Sequence, residues 1–252
     1  MQPVSDLIEN SLKLINTQLG RDKTCRFVQY FVKFIVPIIA ARGPHMADTK
    51  DRLEKLQSNM SLTRKVLRFG KPLPLIKNII DRLKTHEKTP VRNVLLRTIS
   101  DIFLALYFLS DHPLYFQRIG FVKLDKSWVD FIDYWNNIFW LVECIIDIYC
   151  DLCDLYHIDK EIKNLSCQVQ QQKLAAIAGS DSKLSTVGGI DVKLKIRELQ
   201  AKKLLLILSI VRGSADVPVI FHFMGNPNIT SGMGGFFGTI SSSVSLYTLW
   251  GK

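Results

Sequence analysis

Charge is missing from the end of this chain: between Val217 and Gly251 there is no Asp, Glu, Lys or Arg. That absence excludes a solvated tail. Ile229 to Trp250 would span roughly 33 Å as a helix at about 1.5 Å per residue, close to the ~30 Å of a bilayer core. Cysteine is sparse as well, with five in 252 residues. Cys150 and Cys153 form a CxxC, but the other three are scattered and no strand pattern precedes the pair, so neither a zinc site nor a thioredoxin-type site is supported. The histidines, His45, His86, His112, His157 and His222, never fall at metal-ligating spacing, and Gly232 to Gly238 lacks the Lys-Ser or Lys-Thr that follows a phosphate loop. No catalytic residue, metal ligand or cofactor is expected, and the chain is read as non-enzymatic. Met1 to Glu9 is acidic and has no apolar core of a secretory leader. Cysteines without evident partners agree with a reducing, cytosol-facing protein.

Basic residues are what the chain has in excess, and they are unevenly placed. The net charge is +10, yet residues 1–97 hold 19 Lys and Arg against 8 Asp and Glu, and the remainder holds 14 against 15. A basic half of this kind suits nucleic acid or an anionic membrane surface. Nucleic acid leaves the uncharged terminal run unexplained, so no nucleic-acid partner is expected and an anionic phospholipid membrane is.

Within the basic half, Ser61 to Lys84 carries Leu62, Val66, Phe69, Leu73, Ile76, Ile80 and Leu83 at alternating spacings of four and three, which places them on one helical face. These are the expected lipid-inserting residues. Arg64, Lys65, Arg68, Lys71 and Lys77 lie opposite or beside the stripe and are the expected headgroup-binding residues, with long stems on hydrocarbon and cationic heads toward phosphates. Pro72 and Pro74 forbid a straight helix, so two short amphipathic pieces joined by a kink are expected. The competing reading is an ordinary helix docked on a protein core with a solvated basic face.

The rest reads as interrupted helix, giving an all-α, membrane-associated chain with amphipathic N-terminal helices and a C-terminal transmembrane helix. Leu7, Ile8, Leu12, Ile15 and Leu19 mark a first helix, and Asp22 is a candidate cap for a second that ends at Gly43-Pro44. A second membrane segment is placed near residues 94–109, closed by Asp111-His112-Pro113, with Arg97 and Asp101 spaced to pair along it. Glu143, Asp147, Asp151 and Asp154 make an acidic stripe expected to face solvent. Leu204 to Val211 is a second buried helix or one arm of a membrane hairpin. The expected organisation is a basic cytosol-facing region (1–97), a helical middle region (98–165), a polar linker (166–190) and a C-terminal membrane region (191–252). In the last of these Gly234, Gly238 and Ser242 sit four apart and form a small-residue face for helix packing in the membrane.

Four blocks, in order, resemble one family. Gly20-Arg21-Asp22-Lys23 with Arg26 and Gln29-Tyr30, then Thr63 to Pro72, then Ser110-Asp111-His112 with Trp140, and finally Gly235 to Ser242 with Leu246-Tyr247 and Trp250 are similar to the peroxin-eleven family of peroxisomal membrane proteins. The resemblance implies a protein of the peroxisomal membrane that elongates and tubulates the membrane before fission; two membrane segments, near 94–109 and at Ile229 to Trp250, with the basic half retained outside, place both termini in the cytosol. It implies self-association into homo-oligomers, a fission adaptor with a dynamin-related GTPase, and an import receptor for peroxisomal membrane proteins as partners. A non-selective metabolite channel is the alternative, motivated by Arg97, Asp101, Arg212 and Asp216 in apolar helices.

Overall fold

The computed structural model describes residues 2–84, 91–177 and 185–250, and the described chain is helical throughout, with no strand. Eight α-helices follow in order: α1 (Gln2–Asn16), α2 (Gln18–Ala40), α3 (Ala47–Leu67) after a short 3-10 turn at Pro44–Met46, α4 (Pro72–Lys84), α5 (Val91–Arg118), α6 (Lys126–Ile177), α7 (Ser185–Phe223) and α8 (Ser231–Leu249). They form two compact units, Met1–Ile148 with Val211–Lys252, and Tyr149–Ile210.

Local chemistry sets several boundaries. The Thr17 hydroxyl accepts from the Gly20 amide at 2.9 Å and caps α2, the task assigned above to Asp22, which is instead buried. Between α3 and α4 the chain turns at Gly70 with φ +79°, a value that costs most side chains strain, and Pro72 opens the next helix. The expected break is present, but only its second piece is short: the first is the end of the 21-residue α3, which begins at Ala47, and the second is the 13-residue α4. Thr230 caps α8, its hydroxyl accepting from the Met233 amide.

Elsewhere the helices outrun the sequence signals. Pro113 does not close α5, which continues to Arg118, because a proline removes one helical bond while packing on neighbours holds the rest. Residues 166–177 of the expected linker belong to α6 and 185–190 to α7, whereas 178–184 lie outside the described residues. Gln and Ala are good helix formers, and their polarity or smallness suggested a linker where the backbone is helical. Two stretches are long and apolar enough to cross a membrane, Val91–Arg118 and Val192–Phe223. The uncharged terminal segment, expected above as the C-terminal span, forms α8, of 19 residues, and is not one of these two; the second is α7.

The larger unit is an antiparallel bundle whose polarity is reversed from that of a water-soluble protein. Among its described residues 14 polar or charged side chains are buried against 9 apolar ones, while Leu, Ile, Phe and Trp side chains are abundant on the outside. Such a division suits a chain whose surroundings are lipid, where interior polar contacts supply the attraction between helices. In the smaller unit the Lys203 ammonium donates to Asp159, and Lys195 pairs with Glu161 at 2.8 Å. These pairs tie α6 to α7. The acidic stripe is not a solvated face either, since Asp147 accepts from the Ser100 hydroxyl at 2.6 Å and Asp151 is buried.

Candidate functional site

The basic segment that the sequence aims at headgroups is turned largely inward. Asp22 of α2, 2% exposed, accepts from Arg64 Nε at 3.2 Å and from Lys71 Nζ at 2.6 Å, with Arg68 Nε at 3.8 Å. Asp111 of α5 accepts from Lys65 and from Arg68 at 2.6 Å. Arg64 also donates to Gln29 at 2.7 Å, and Arg68 to the Tyr107 hydroxyl at 2.8 Å. A third carboxylate, Asp216 of α7, accepts from Arg26, whose guanidinium lies over the rings of Tyr30 and Trp140. Carboxylates thus pin α3 and α7 to α2, and α5 to the C-terminal end of α3.

Burial alone would raise the Asp22 pKa, but Arg68, Arg64 and Lys71 outweigh it and hold the carboxyl well below its ordinary value of 3.8. The sign follows from linkage: the unfolded chain takes up the proton first, so the stability Asp22 contributes is complete above the ordinary carboxylate range and is lost as pH falls through it. Denaturation of the detergent-solubilised protein should therefore become easier between about pH 5 and pH 2. The Asp22→Asn protein should show a shallower acid dependence over that window.

Of the five expected headgroup contacts, Arg64 and Arg68 are buried and Lys65 and Lys71 largely covered, while Lys77 is exposed. This corrects the sequence reading for four of them, because carboxylates on α2 and α5 are nearer partners than lipid phosphates. The apolar stripe divides as well. Phe69 faces inward, stacked on His112 with ring centroids 4.4 Å apart, and Leu62 is half-buried. Val66, Leu73, Ile76, Ile80 and Leu83 are exposed. On α4 the opposite side rests on α5, where Arg82 pairs with Asp101 at 2.7 Å. A short helix thus presents its apolar edge outward, flanked by the exposed Lys77 and Lys84.

The small-residue face of α8 is occupied within the chain. Gly234, Gly238 and Ser242 are buried, and a Cβ built at Gly238 would overlap the Tyr30 ring, just as one at Gly235 would overlap the Phe34 backbone. The neighbours are α2 at Gly235 and Gly238 and His222 of α7 at Gly234, so this face is not open to a second copy. The charges that suggested a pathway also serve helix contacts: Asp101 meets Arg82, Arg97 lies 3.6 Å from Asp147, and Asp216 meets Arg26. The expected pairing of Arg97 with Asp101 along one helix is replaced by links between helices.

The four sequence blocks therefore converge on one place, since Asp22, Arg26 and Tyr30, Arg64 to Lys71, Asp111 with Trp140, and Gly238 all meet around α2. A sequence profile of the family "Peroxisomal biogenesis factor 11 (PEX11)" matches residues 8–250. The chain belongs to the PEX11 family. A Peroxisomal membrane protein 11 homolog from Dictyostelium discoideum is 24% identical over 98% of this chain and 96% of its own length. Peroxisomal membrane protein PMP30A of Candida boidinii is 25% identical over 97% and 94%, and human Peroxisomal membrane protein 11B is 23% identical over 91% and 92%. No solved structure matches. The protein is a peroxisomal membrane protein of the PEX11 kind.

Sequence reasoning missed the anionic half of the PEX11 core. Asp22 and Asp111 stand inside blocks that carry the family resemblance, and that was the available signal: an acidic residue recurring amid cations marks a counter-ion. Asp216 had no local signal, as its partner Arg26 lies 190 residues away.

Proposed function

We propose that this PEX11 protein elongates the peroxisomal membrane ahead of fission by seating α4 in one leaflet. The observation that carries the reading is the outward apolar edge of α4, where Leu73 is 69% and Ile76 48% exposed, on a helix held to the bundle from behind by Arg82 and Asp101. Apolar side chains pushed into one leaflet expand it relative to the other and favour curvature. Lys77 and Lys84 add attraction to anionic headgroups of about 1 kcal/mol each near the surface. The bundle makes the wedge stiff: α4 is braced on α5, so insertion strain passes to the membrane rather than dissipating in a loose linker. Self-association then uses a surface other than the covered face of α8. Both termini lie in the cytosol, where the fission adaptor and its GTPase can meet them.

The test uses the full-length protein reconstituted into anionic liposomes. Replacing Leu73, Ile76 and Ile80 together by Glu removes about 1.5–3 kcal/mol of apolar transfer energy per side chain and should abolish tubulation seen by electron microscopy, with the fold retained by circular dichroism. Replacement by Met should preserve it. Undiminished tubules from the Glu variant would remove α4 as the wedge. A protected C-terminal tag on intact organelles would separately refute the cytosolic orientation.

A further inference from the structure

The first half of α6 fails a compositional test for a membrane helix, with Asp130, Asp133, Glu143 and Asp147 among residues 126–148. The structure shows where that polarity goes. The Asn136 amide donates to the Tyr107 carbonyl at 2.9 Å and to the Ser110 hydroxyl at 2.7 Å. Asn137 donates to the Asp133 carbonyl, the Cys144 thiol points to the Gly213 carbonyl at 3.2 Å, and Asp147 accepts from Ser100 on α5. The Asn136 and Asp147 contacts run antiparallel along α5, the Cys144 contact reaches α7, and Asn137 is satisfied within α6 itself. They place residues 136–148 beside the two helices that are long and apolar enough to span.

The outward side of the same half-helix is of a different character. Trp128 and Phe131 stand in an edge contact at 5.9 Å, Phe131 meets Trp135 at 6.3 Å, and Trp135 continues to Phe139 at 5.9 Å. Exposure declines along that ladder, from 59% at Trp128 to 42% at Trp135, and two and a half turns further on Ile145 is 55% exposed. Asp130 and Asp133, both exposed, share the level of the aromatic residues. Lys123 and Lys126 lie just before them. Aromatic rings with cations and carboxylates at one level, followed by a stretch whose amides are turned inward, match the order of a headgroup layer followed by hydrocarbon.

We infer that α6 is a concealed membrane helix: its aromatic turns, Trp128 to Trp135, lie in the headgroup layer, and residues 136–148 lie in the hydrocarbon beside α5, with Ile145 against acyl chains. Trp128 and Ile145 are about 25 Å apart along the axis, within the ~30 Å of a bilayer core. The occupant of the stripe is lipid because the ladder runs on from Phe139 to Phe103 of α5, their ring centroids 6.0 Å apart, and Leu95, Ile102 and Leu109 of that helix are exposed as well. The inference is independent of whether α4 tubulates the membrane.

Two measurements on the full chain in liposomes test it. In one, single-tryptophan proteins keep Trp128, or carry Ile145→Trp with every native Trp replaced by Phe, and fluorescence is quenched by lipids brominated at shallow or deep acyl positions. Trp128 should lose most signal to shallow bromines, and the tryptophan at position 145 to deep ones. Preferential quenching at 145 by aqueous acrylamide would overturn the inference, and so would shielding from both quenchers, which would mean that protein covers the stripe. The second measurement uses the unmodified chain with a carbene-generating group on a phospholipid acyl chain. Adducts should map to peptides of both α5 and residues 136–148. Labelling of α5 alone would refute the α6 placement while leaving α5 in the membrane.

Discussion

Asp22→Asn should be among the most damaging single substitutions in this protein, destabilising it by about 3–5 kcal/mol, the cost of removing one partner from a buried ionic group. The carboxylate accepts from Arg64 and Lys71 and faces Arg68, and its loss leaves cations crowded in a desolvated interior with Asp111 as the nearest remaining counter-ion for Arg68. Asn keeps the shape and one acceptor oxygen, so the effect isolates charge. The comparison that gives the number meaning is Asp48→Asn, which breaks an exposed i,i+4 pair with Arg52 and should cost below about 0.5 kcal/mol. Thermal unfolding in detergent micelles, followed by circular dichroism, measures both. Equal effects would mean that the buried cluster contributes no more than a surface pair.

Gly235→Leu is the second large effect, and it acts through space rather than charge. Any Cβ at this position runs into the backbone of Lys33 and Phe34 on α2, and a backbone cannot rotate aside as a side chain can. Overpacking of a well-packed core costs typically 1–3 kcal/mol; here relief requires α8 to move away from α2, so the upper end or beyond is expected. Gly238→Leu should be nearly as severe, because the Tyr30 ring it would strike is buried and held beneath Arg26 and Arg64. Gly232→Ala supplies the contrast: its Cβ would meet the Pro37 ring and the Thr230 hydroxyl at ordinary contact distances of 3.5 to 4.0 Å, and no strain is expected. Limited proteolysis of the turn between α7 and α8 reads the separation, with rapid cleavage expected for Gly235→Leu and wild-type resistance for Gly232→Ala.

Which parts of this architecture are legible in sequence depends on how far each cause reaches along the chain. The apolar stripe of α1 and the broken helix at Gly70 to Pro72 follow from neighbours a few residues apart, and both are present. The exposed edge of α4 follows from its own periodicity. What a face meets is a different matter. Arg64 and Arg68 lie on the polar side of their helix whether that side faces water, phosphate or carboxylates 42 to 46 residues away, and the sequence pattern is the same in each case. Small residues at Gly234, Gly238 and Ser242 likewise announce close packing without naming the neighbours, which are His222 of α7 at Gly234 and Tyr30 of α2 at Gly238. The concealed half of α6 is least visible, because composition counts Asp147 as a charge without knowing that Ser100 donates to it.

The contact between Arg26 and Asp216 has a bearing on how the protein is made. When residue 26 leaves the ribosome, its counter-ion is 190 residues from being synthesised, and loop closure over so long a stretch comes late by necessity. Until then the N-terminal half holds more cations than it can neutralise, with greasy edges on α1 and α4 already formed and prone to aggregate. The N-terminal helices cannot reach their final packing before residue 216 has been made. The joining of α2 to α7 is therefore one of the last steps of assembly, after the local helices have formed.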